Sequence, residues 1–288
     1  MIIVDLNQVM ISNLMAQIGN HTNLQIEPDM VRHMVLNAIR GFNVKFGKDY
    51  GQLVIACDDK KYWRREVFPY YKANRKRDRE KSELDWNAIF ECLNSIREEL
   101  KEYFPYRVIQ VEGAEADDVI GTLTKEHGSV LNGMDKILIL SGDKDFVQLQ
   151  KYANVVQYDP VLKKFIRNND PARFTQEHIM KGDRGDGVPN MLSADNCLVI
   201  GERMKPMTVK KMDEWIGKDP HVIFSDNEQL LRNYKRNQQL VDLDFIPVEL
   251  SNKIMDKYNE QSNKDRSKMF NYFISRKLKH LLESINEF

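Results

Sequence analysis

Cysteine is scarce in this 288-residue chain: Cys57, Cys92 and Cys197 lie far apart and form no CxxC pair. A disulfide framework and a zinc module are therefore not expected, and a reducing cytoplasm is the natural compartment. No run approaches the roughly 18 apolar residues of a membrane helix, so no membrane association is expected. The opening Met1-Ile2-Ile3-Val4-Asp5 lacks the basic and then apolar regions of a secretion signal. Net charge is missing too, with 43 Lys and Arg against 43 Asp and Glu. The histidines (His21, His33, His127, His178, His221 and His280) are scattered without shared ligand spacing and read as ordinary surface or core residues. Repeats and low-complexity tracts are absent. Hydrophobic residues at 42% and charged ones at 30% are normal for a globular chain, and the length suits one large domain or two ordinary ones.

The zero net charge hides a local asymmetry. Residues 60–81 carry ten Lys and Arg against Glu66, Asp78 and Glu80, a local charge of +7, interleaved with Tyr62, Trp63, Phe68, Tyr70 and Tyr71. Cations that meet phosphates, alternating with rings on which bases stack, suit single-stranded nucleic acid. The plain alternative is a solvated helix or loop. Trp63 is the ring expected to touch nucleic acid, whereas Trp86 and Trp215 sit on helical patterns and read as core.

Short β-branched runs recur, each ending in a carboxylate or small polar residue: Ile2-Ile3-Val4 before Asp5, Leu53-Val54-Ile55-Ala56-Cys57 before Asp58, and Ile137-Leu138-Ile139-Leu140 before Ser141-Gly142-Asp143. Val108-Ile109-Gln110-Val111 is a further candidate. Such runs read as buried strands of a parallel sheet. Helical patterns lie between them, one opening at Pro28-Asp29 with Met30, Met34, Ala38 and Phe42 in phase, another over residues 85–103 with Ile89, Leu93, Ile96 and Leu100. The result is an α/β fold with a mostly parallel central sheet flanked by helices. Helices are expected at 175–181, 207–216, 227–239 and 266–282. An α/β domain over 1–170, with a basic arch at about 60–82, and a smaller helical domain over 171–288 are expected.

Asp5, Asp58 and Asp143 fall at the carboxyl ends of strands, where parallel sheets place their sites. Glu115-Ala116-Asp117-Asp118 opens a helix, Asp143-Lys144-Asp145 follows a strand, and Asp183 and Asp186 lie in a glycine-rich loop. Each cluster alone has a simple use as a helix cap or dipole partner. Together they are costly, since two unit charges 4 Å apart repel by about 1 kcal/mol in water and about 4 kcal/mol at a surface-like dielectric. Oxygen ligands select Mg²⁺ or Mn²⁺, and a surplus of carboxylates suggests two ions acting on a phosphodiester. A metal-dependent nuclease is the expected class. A lysine of the basic segment could stabilise the attacked phosphate, the Gly182 loop could meet duplex phosphates, and Lys205, Lys210 and Lys211 add supporting charge.

In order along the chain, Asp5, Cys57-Asp58, Tyr62-Trp63-Arg64-Arg65, Tyr71-Lys72-Ala73-Asn74-Arg75, Glu115-Ala116-Asp117-Asp118, Ser141-Gly142-Asp143-Lys144-Asp145-Phe146 and Gly182-Asp183-Arg184-Gly185-Asp186 resemble the flap endonuclease or 5′-nuclease family. The family likeness covers about residues 1–215. Likeness to its bacteriophage branch extends to Ser284-Ile285-Asn286-Glu287-Phe288. The resemblance implies a 5′-nuclease, PIN-like fold with a helical arch and a helix-three-turn-helix beginning at the Gly182 loop. It implies a 5′→3′ exonuclease and flap endonuclease that removes RNA primers during lagging-strand synthesis. It implies two Mg²⁺, replaceable by Mn²⁺, held by Asp5, Asp58, Glu115, Asp117, Asp118, Asp143, Asp145, Asp183 and Asp186. Lys72 matches the family's active-site lysine, and Arg64, Arg65 and Arg75 would gather the 5′ strand. RNA/DNA and DNA/DNA duplexes are the implied partners, with a single-strand-binding protein of the replisome. A monomer in the cytoplasm, the host's if phage-encoded, is expected.

Two departures stand out. The family continues beyond Asp186 with Asn and a Gly-x-Gly-x-Lys turn. Here Gly187 follows, and only Gly201-Glu202-Arg203-Met204-Lys205 resembles the turn, after an insertion around 192–199. The monovalent cation held there by many relatives is not carried over. The chain opens at its first strand, so a sliding-clamp contact through an N-terminal extension is not carried over either. A replication accessory protein without catalysis predicts broken acidic positions, yet every carboxylate is present. A simpler RNase on a related sheet leaves the basic segment and the Gly182 loop unexplained.

Overall fold

The computed structural model describes residues 1–20, 26–81, 84–128 and 135–288, and the backbone alone at 17, 19, 20, 76–78 and 80. The part of the expected arch at 76–78, 80 and 82 therefore lies outside the described side chains. Strands β1 (Ile2–Asp5), β2 (Leu53–Ala56), β3 (Arg107–Ile109) and β4 (Ile137–Leu140) occupy the β-branched runs. Two more, β5 (Val155–Asp159) and β6 (Lys164–Ile166), have no counterpart in the sequence reading. The order across the sheet is β3-β2-β1-β4-β5-β6. Every adjacent pair is parallel except β5 with β6.

Helices α1 (Leu6–Asn20), α2 (Pro28–Tyr50), α3 (Trp63–Val67), α4 (Ala73–Glu80), α5 (Trp86–Tyr103) and α6 (Ala116–Gly128) fall between the first four strands. Period-two side chains explain why the runs are apolar throughout. Ile2, Val4, Ile55 and Leu138 meet α1, α2 and α5 on one face, while Ile3, Val54, Ile109 and Ile139 meet α6 on the other. Helix α5 starts where Asp85 accepts from the backbone N–H of Asn87 and Ala88, and it buries the four residues its spacing indicated. Helix α2 differs by rotation. Val31, Val35, Leu36, Ile39 and Phe46 are buried, and Met30 is exposed. The face one residue on from the expected stripe turns to the core, and it also buries Arg32 against Glu99 at 2.7 Å.

Beyond β6, α7 (Pro171–Lys181), α8 (Cys197–Ile200), α9 (Val209–Trp215), α10 (Pro220–Ile223) and α11 (Glu228–Val241) build a third apolar cluster. Its core includes Ile179, Val188, Met191, Met212, Phe224 and Leu240, and it takes in Phe68 and Tyr71 from the basic segment. Helices α12 (Val248–Glu260), α13 (Met269–Ser275) and α14 (Lys279–Glu283) then return to the sheet. Leu250 and Ile254 pack with α6, and Phe273, Leu281 and Phe288 lie beneath α5. The third cluster begins just beyond residue 170, where the element type changes. The separate helical cluster ends near residue 241, and the last helices belong to the sheet. All three cysteines are buried and free.

Candidate active site

Strand order reverses at β1, since β2 and β3 extend one way and β4 to β6 the other. Such a switch point opens a crevice at the carboxyl ends of the strands. Asp5 ends β1, and its carboxylate accepts from Gln8 N at 3.1 Å and Ser141 Oγ at 3.0 Å. The Gln8 side chain accepts from Gly142 N at 2.6 Å, tying the ends of β1 and β4 together. Asp58 follows β2 and accepts from Ala116 N at 2.6 Å and from the Asn7 side chain. Asp143 caps the 3₁₀ segment Lys144–Lys151 by accepting from Asp145 N at 3.0 Å. Asp117 stands in the first turn of α6, and among the described residues no donor reaches its carboxylate.

These four carboxylates, with Asp145, Asp183 and Asp186, line one cleft of about 410 Å³ whose cations are Lys72, Arg75 and Lys144. Burial pushes the Asp5 carboxyl up to about 7, against the bonds from Gln8 and Ser141. Burial, then the neighbouring Asp145, pushes Asp143 up to about 6. Asp58 and Asp117 are raised by burial as well, Asp117 far above the usual range. Asp186 goes the other way: burial acts upward, but Lys72 and Arg75 outweigh it. The cleft thus holds a group of carboxylates whose charge the protein leaves uncompensated, beside one it neutralises. Oxygen donors in that state fit a hard divalent cation.

The basic segment divides in two. Arg64 and Trp63, expected at nucleic acid, are buried. Arg64 donates to Glu115 at 2.8 Å and to Leu240 O at 2.8 Å, and its second guanidinium nitrogen lies 2.8 Å from Asp118. The Trp63 indole N–H donates to Asp118 at 3.2 Å. Neither side chain can meet a strand in solvent, because both are used to join α3 and α6 to the end of α11. Asp118, expected as a metal ligand, is held in the same knot and also accepts from Glu115 N at 2.8 Å. It does not line the cleft. Glu115 is fully buried and engaged by Arg64, Lys72 and the Tyr71 hydroxyl at 3.0 Å, so it reaches the cleft through Lys72 and through Tyr71, whose hydroxyl also donates to Asp186 at 2.8 Å.

Lys72 takes a left-handed backbone conformation, φ 54°, uncommon for a side chain of this size. Its N–H donates to Asp186 O at 2.7 Å, and its ammonium pairs with Glu115 and, at 3.5 Å, with Asp186. The glycine-rich loop allows this approach. Gly187 has φ 74°, and a Cβ there would stand 2.9 Å from Tyr70 O. Gly182, φ 66°, lets the loop fold back so that Val188 N donates to Asp183 O at 2.7 Å. Arg75 is half-exposed on Asp186 and Arg65 is exposed. Lys205 and Lys211 line a separate hollow of about 510 Å³ between α9 and α11, and Lys210 is exposed nearby. Just before the insertion, Asn190 donates to Lys205 O at 2.7 Å and accepts from Ser193 Oγ at 2.8 Å, which pins the segment.

Sequence reasoning missed Asn7, Gln8, Lys144 and His178. His178 is nearly fully buried on α7, with Nε2 3.0 Å from Asp145 and 3.9 Å from Asp183. Burial lowers its affinity for a proton, but the contact with Asp145 outweighs burial and the net shift is upward. Its position three residues before the Lys181-Gly182-Asp183 turn was the available signal. Asn7 and Gln8 follow Asp5 within one helical turn and were equally available.

A sheet of this order with a carboxylate cleft at its switch point defines an α/β protein with a candidate site for a hard divalent cation. Residues 1–181 match the family of 5′-3′ exonuclease N-terminal, resolvase-like domains, and residues 174–288 match the C-terminal domain of T4 RNase H. The chain belongs to the 5′-3′ exonuclease family and is a nuclease. Ribonuclease H of Enterobacteria phage T4 is 36% identical over 99% of this chain and 95% of its own length. The thermostable DNA polymerase I of Thermus filiformis is 28% identical over 61% of this chain, a match to 22% of that longer protein. The fold resembles the zinc-bound 5′-exonuclease of bacteriophage T5, with TM-score 0.64 and 19% identity over 90% of this chain and 98% of that one. It also resembles T5 flap endonuclease in complex with DNA and metal ions, with TM-score 0.62 and 19% identity over 91% and 99%.

Proposed function

We propose that the chain is a divalent-metal-dependent 5′→3′ exonuclease and flap endonuclease acting on RNA/DNA and DNA/DNA duplexes, and that it removes RNA primers during lagging-strand replication. The observation that carries this reading is the single cleft of Asp5, Asp58, Asp117, Asp143, Asp145, Asp183 and Asp186 with Lys72 and Arg75 beside them. Two Mg²⁺ ions, replaceable by Mn²⁺, fit two ligand groups. Asp5, Asp58, Asp117 and Asp143 form the first, with Glu115 acting through Lys72. Asp145, Asp183 and Asp186 form the second. When bound, the ions supply an activated water and stabilise the leaving oxygen of an in-line displacement at phosphorus.

The residues of the chain do the rest. Gln8 and Ser141 orient Asp5, and Asn7 and Ala116 N orient Asp58. Lys72 meets the attacked phosphate, and its ties to Glu115 and Asp186 aim it before the substrate arrives. Arg75 and Arg65 gather the 5′ strand. Lys205, Lys210 and Lys211 meet duplex phosphates farther along. A single-strand-binding protein is the proposed replisome partner, and the chain acts as a monomer in the cytoplasm, the host's if it is phage-encoded. The reading is tested on a 5′-labelled primer, made as RNA and as DNA and annealed to DNA, with Mg²⁺ and with EDTA. Short 5′ products only with Mg²⁺ are expected. Tight duplex binding without cleavage would overturn the proposal.

A further inference from the structure

We propose that His178 supplies a nitrogen ligand, with Asp145 and Asp183, to a divalent-ion site that favours a transition ion such as Mn²⁺ or Co²⁺ over Mg²⁺; this deepens the metal-dependent reading above and rests on it. His178, Asp145 and Asp183 come from three segments: α7, the 3₁₀ turn after β4 and the loop after α7. Their ligand atoms nonetheless all lie within 4.8 Å of one another. Two ligands at right angles about an ion at about 2.1 Å stand about 3 Å apart, and opposite ones about 4.2 Å. The His178 Nε2 distances of 3.0 Å to Asp145 and 3.9 Å to Asp183 fall within that span.

The histidine is not placed there by default. Its side chain is 7% exposed, and among the described residues its buried Nε2 and the buried Asp145 Oδ1 have only each other, 3.0 Å apart. A buried carboxylate oxygen that faces a single imidazole nitrogen keeps lone pairs for a cation. Stacking on Phe174, with ring centroids 5.9 Å apart, fixes the imidazole plane. Carboxylates alone suit Mg²⁺, whereas an imidazole nitrogen shifts preference toward the transition series.

The experiment is electron spin-echo spectroscopy of Mn²⁺ bound to the full chain, with calorimetric titration of Mn²⁺ and Mg²⁺. Wild type should show ¹⁴N modulation that changes when histidine is supplied as ¹⁵N, a comparison needing no mutation. His178→Gln should lose the modulation, and its preference for Mn²⁺ over Mg²⁺ should fall by at least about tenfold. Tight Mn²⁺ binding by wild type without nitrogen modulation would overturn the inference, leave the metal-dependent reading standing, and make His178 an ion-pair partner of Asp145. Failure of wild type to bind either ion would overturn both.

Discussion

Arg64 offers the sharpest test, because its sequence context and its surroundings point to opposite roles. It lies in a run of cations that suits nucleic acid, yet it is 2% exposed and faces two fully buried carboxylates, Glu115 and Asp118, each at 2.8 Å. Replacement by glutamine keeps polarity and removes the charge. Glu115 keeps Lys72 and Tyr71, while Asp118 keeps only the Trp63 indole and a backbone N–H. Removing one partner of a buried pair costs about 3–5 kcal/mol. For a chain of this size each kcal/mol shifts Tm by about 2–4 °C, so Arg64→Gln should lower Tm by about 6–20 °C. A double-mutant cycle with Asp118→Asn should recover part of that loss, because the second change removes the stranded charge. The assays are thermal unfolding and duplex binding across a salt series. A Tm within a degree or two of wild type, together with a salt slope reduced by about one, would make Arg64 a phosphate contact and refute the assignment.

Asp143→Asn should abolish cleavage while sparing duplex binding, checked by labelled-primer cleavage and a gel-shift titration; near wild-type turnover would remove Asp143 from the site. Lys72→Ala should lower kcat by about 10²–10³ with a much smaller change in affinity, and a loss confined to KM would reduce the lysine to a phosphate anchor. Gly187→Ala should destabilise by about 1–3 kcal/mol in a denaturant titration, because its φ of 74° and the 2.9 Å approach to Tyr70 O both resist a Cβ. For pH, Asp5 at about 7 and Asp143 at about 6 are raised above the ordinary carboxylate value. Their contribution to the metal-free fold is complete below about pH 3.9 and is lost as pH rises through 6 and 7. Mg²⁺ should therefore raise Tm far more at pH 8 than at pH 5, with EDTA as the reference; an equal rise at both would show that these groups carry no metal.

Much of the fold was legible because a parallel sheet covered on both faces writes its strands as unbroken apolar runs. The same rule explains the strand that was missed. β5 carries Gln157 at its centre, fully buried and donating to Ser141 O at 2.9 Å and Asp143 O at 2.6 Å. That polar residue breaks the apolar run, and it holds the loop that presents Asp143. β6 is an edge strand of Lys164, Phe165 and Ile166 with little buried, so its pattern was weak. Trp63 and Arg64 were misjudged because composition reports that a segment is basic but not which cations turn inward. His178 looked solitary because Asp145 lies far away in sequence and meets it only when α7 packs on the 3₁₀ turn.

Counting carboxylates also overstated what the site leaves free. Of the nine taken as metal ligands, Asp118 and Glu115 are occupied by Arg64 and Lys72, and Asp186 is shared between Lys72 and Arg75. The direction in which each acid titrates separates the groups better than its position in the sequence. Asp186 sits below the usual range because protein cations already compensate it. Asp5, Asp58, Asp117 and Asp143 sit above it because burial raises them and no protein cation offsets that fully. A buried carboxylate raised in this way is one whose ionised form gains from a cation partner. Asp5, Asp58 and Asp143 lie at or just beyond the ends of β1, β2 and β4, and Asp117 joins them in the cleft from the first turn of α6. The sheet therefore bears the cost of assembling the charge, and a bound cation is rewarded for relieving it.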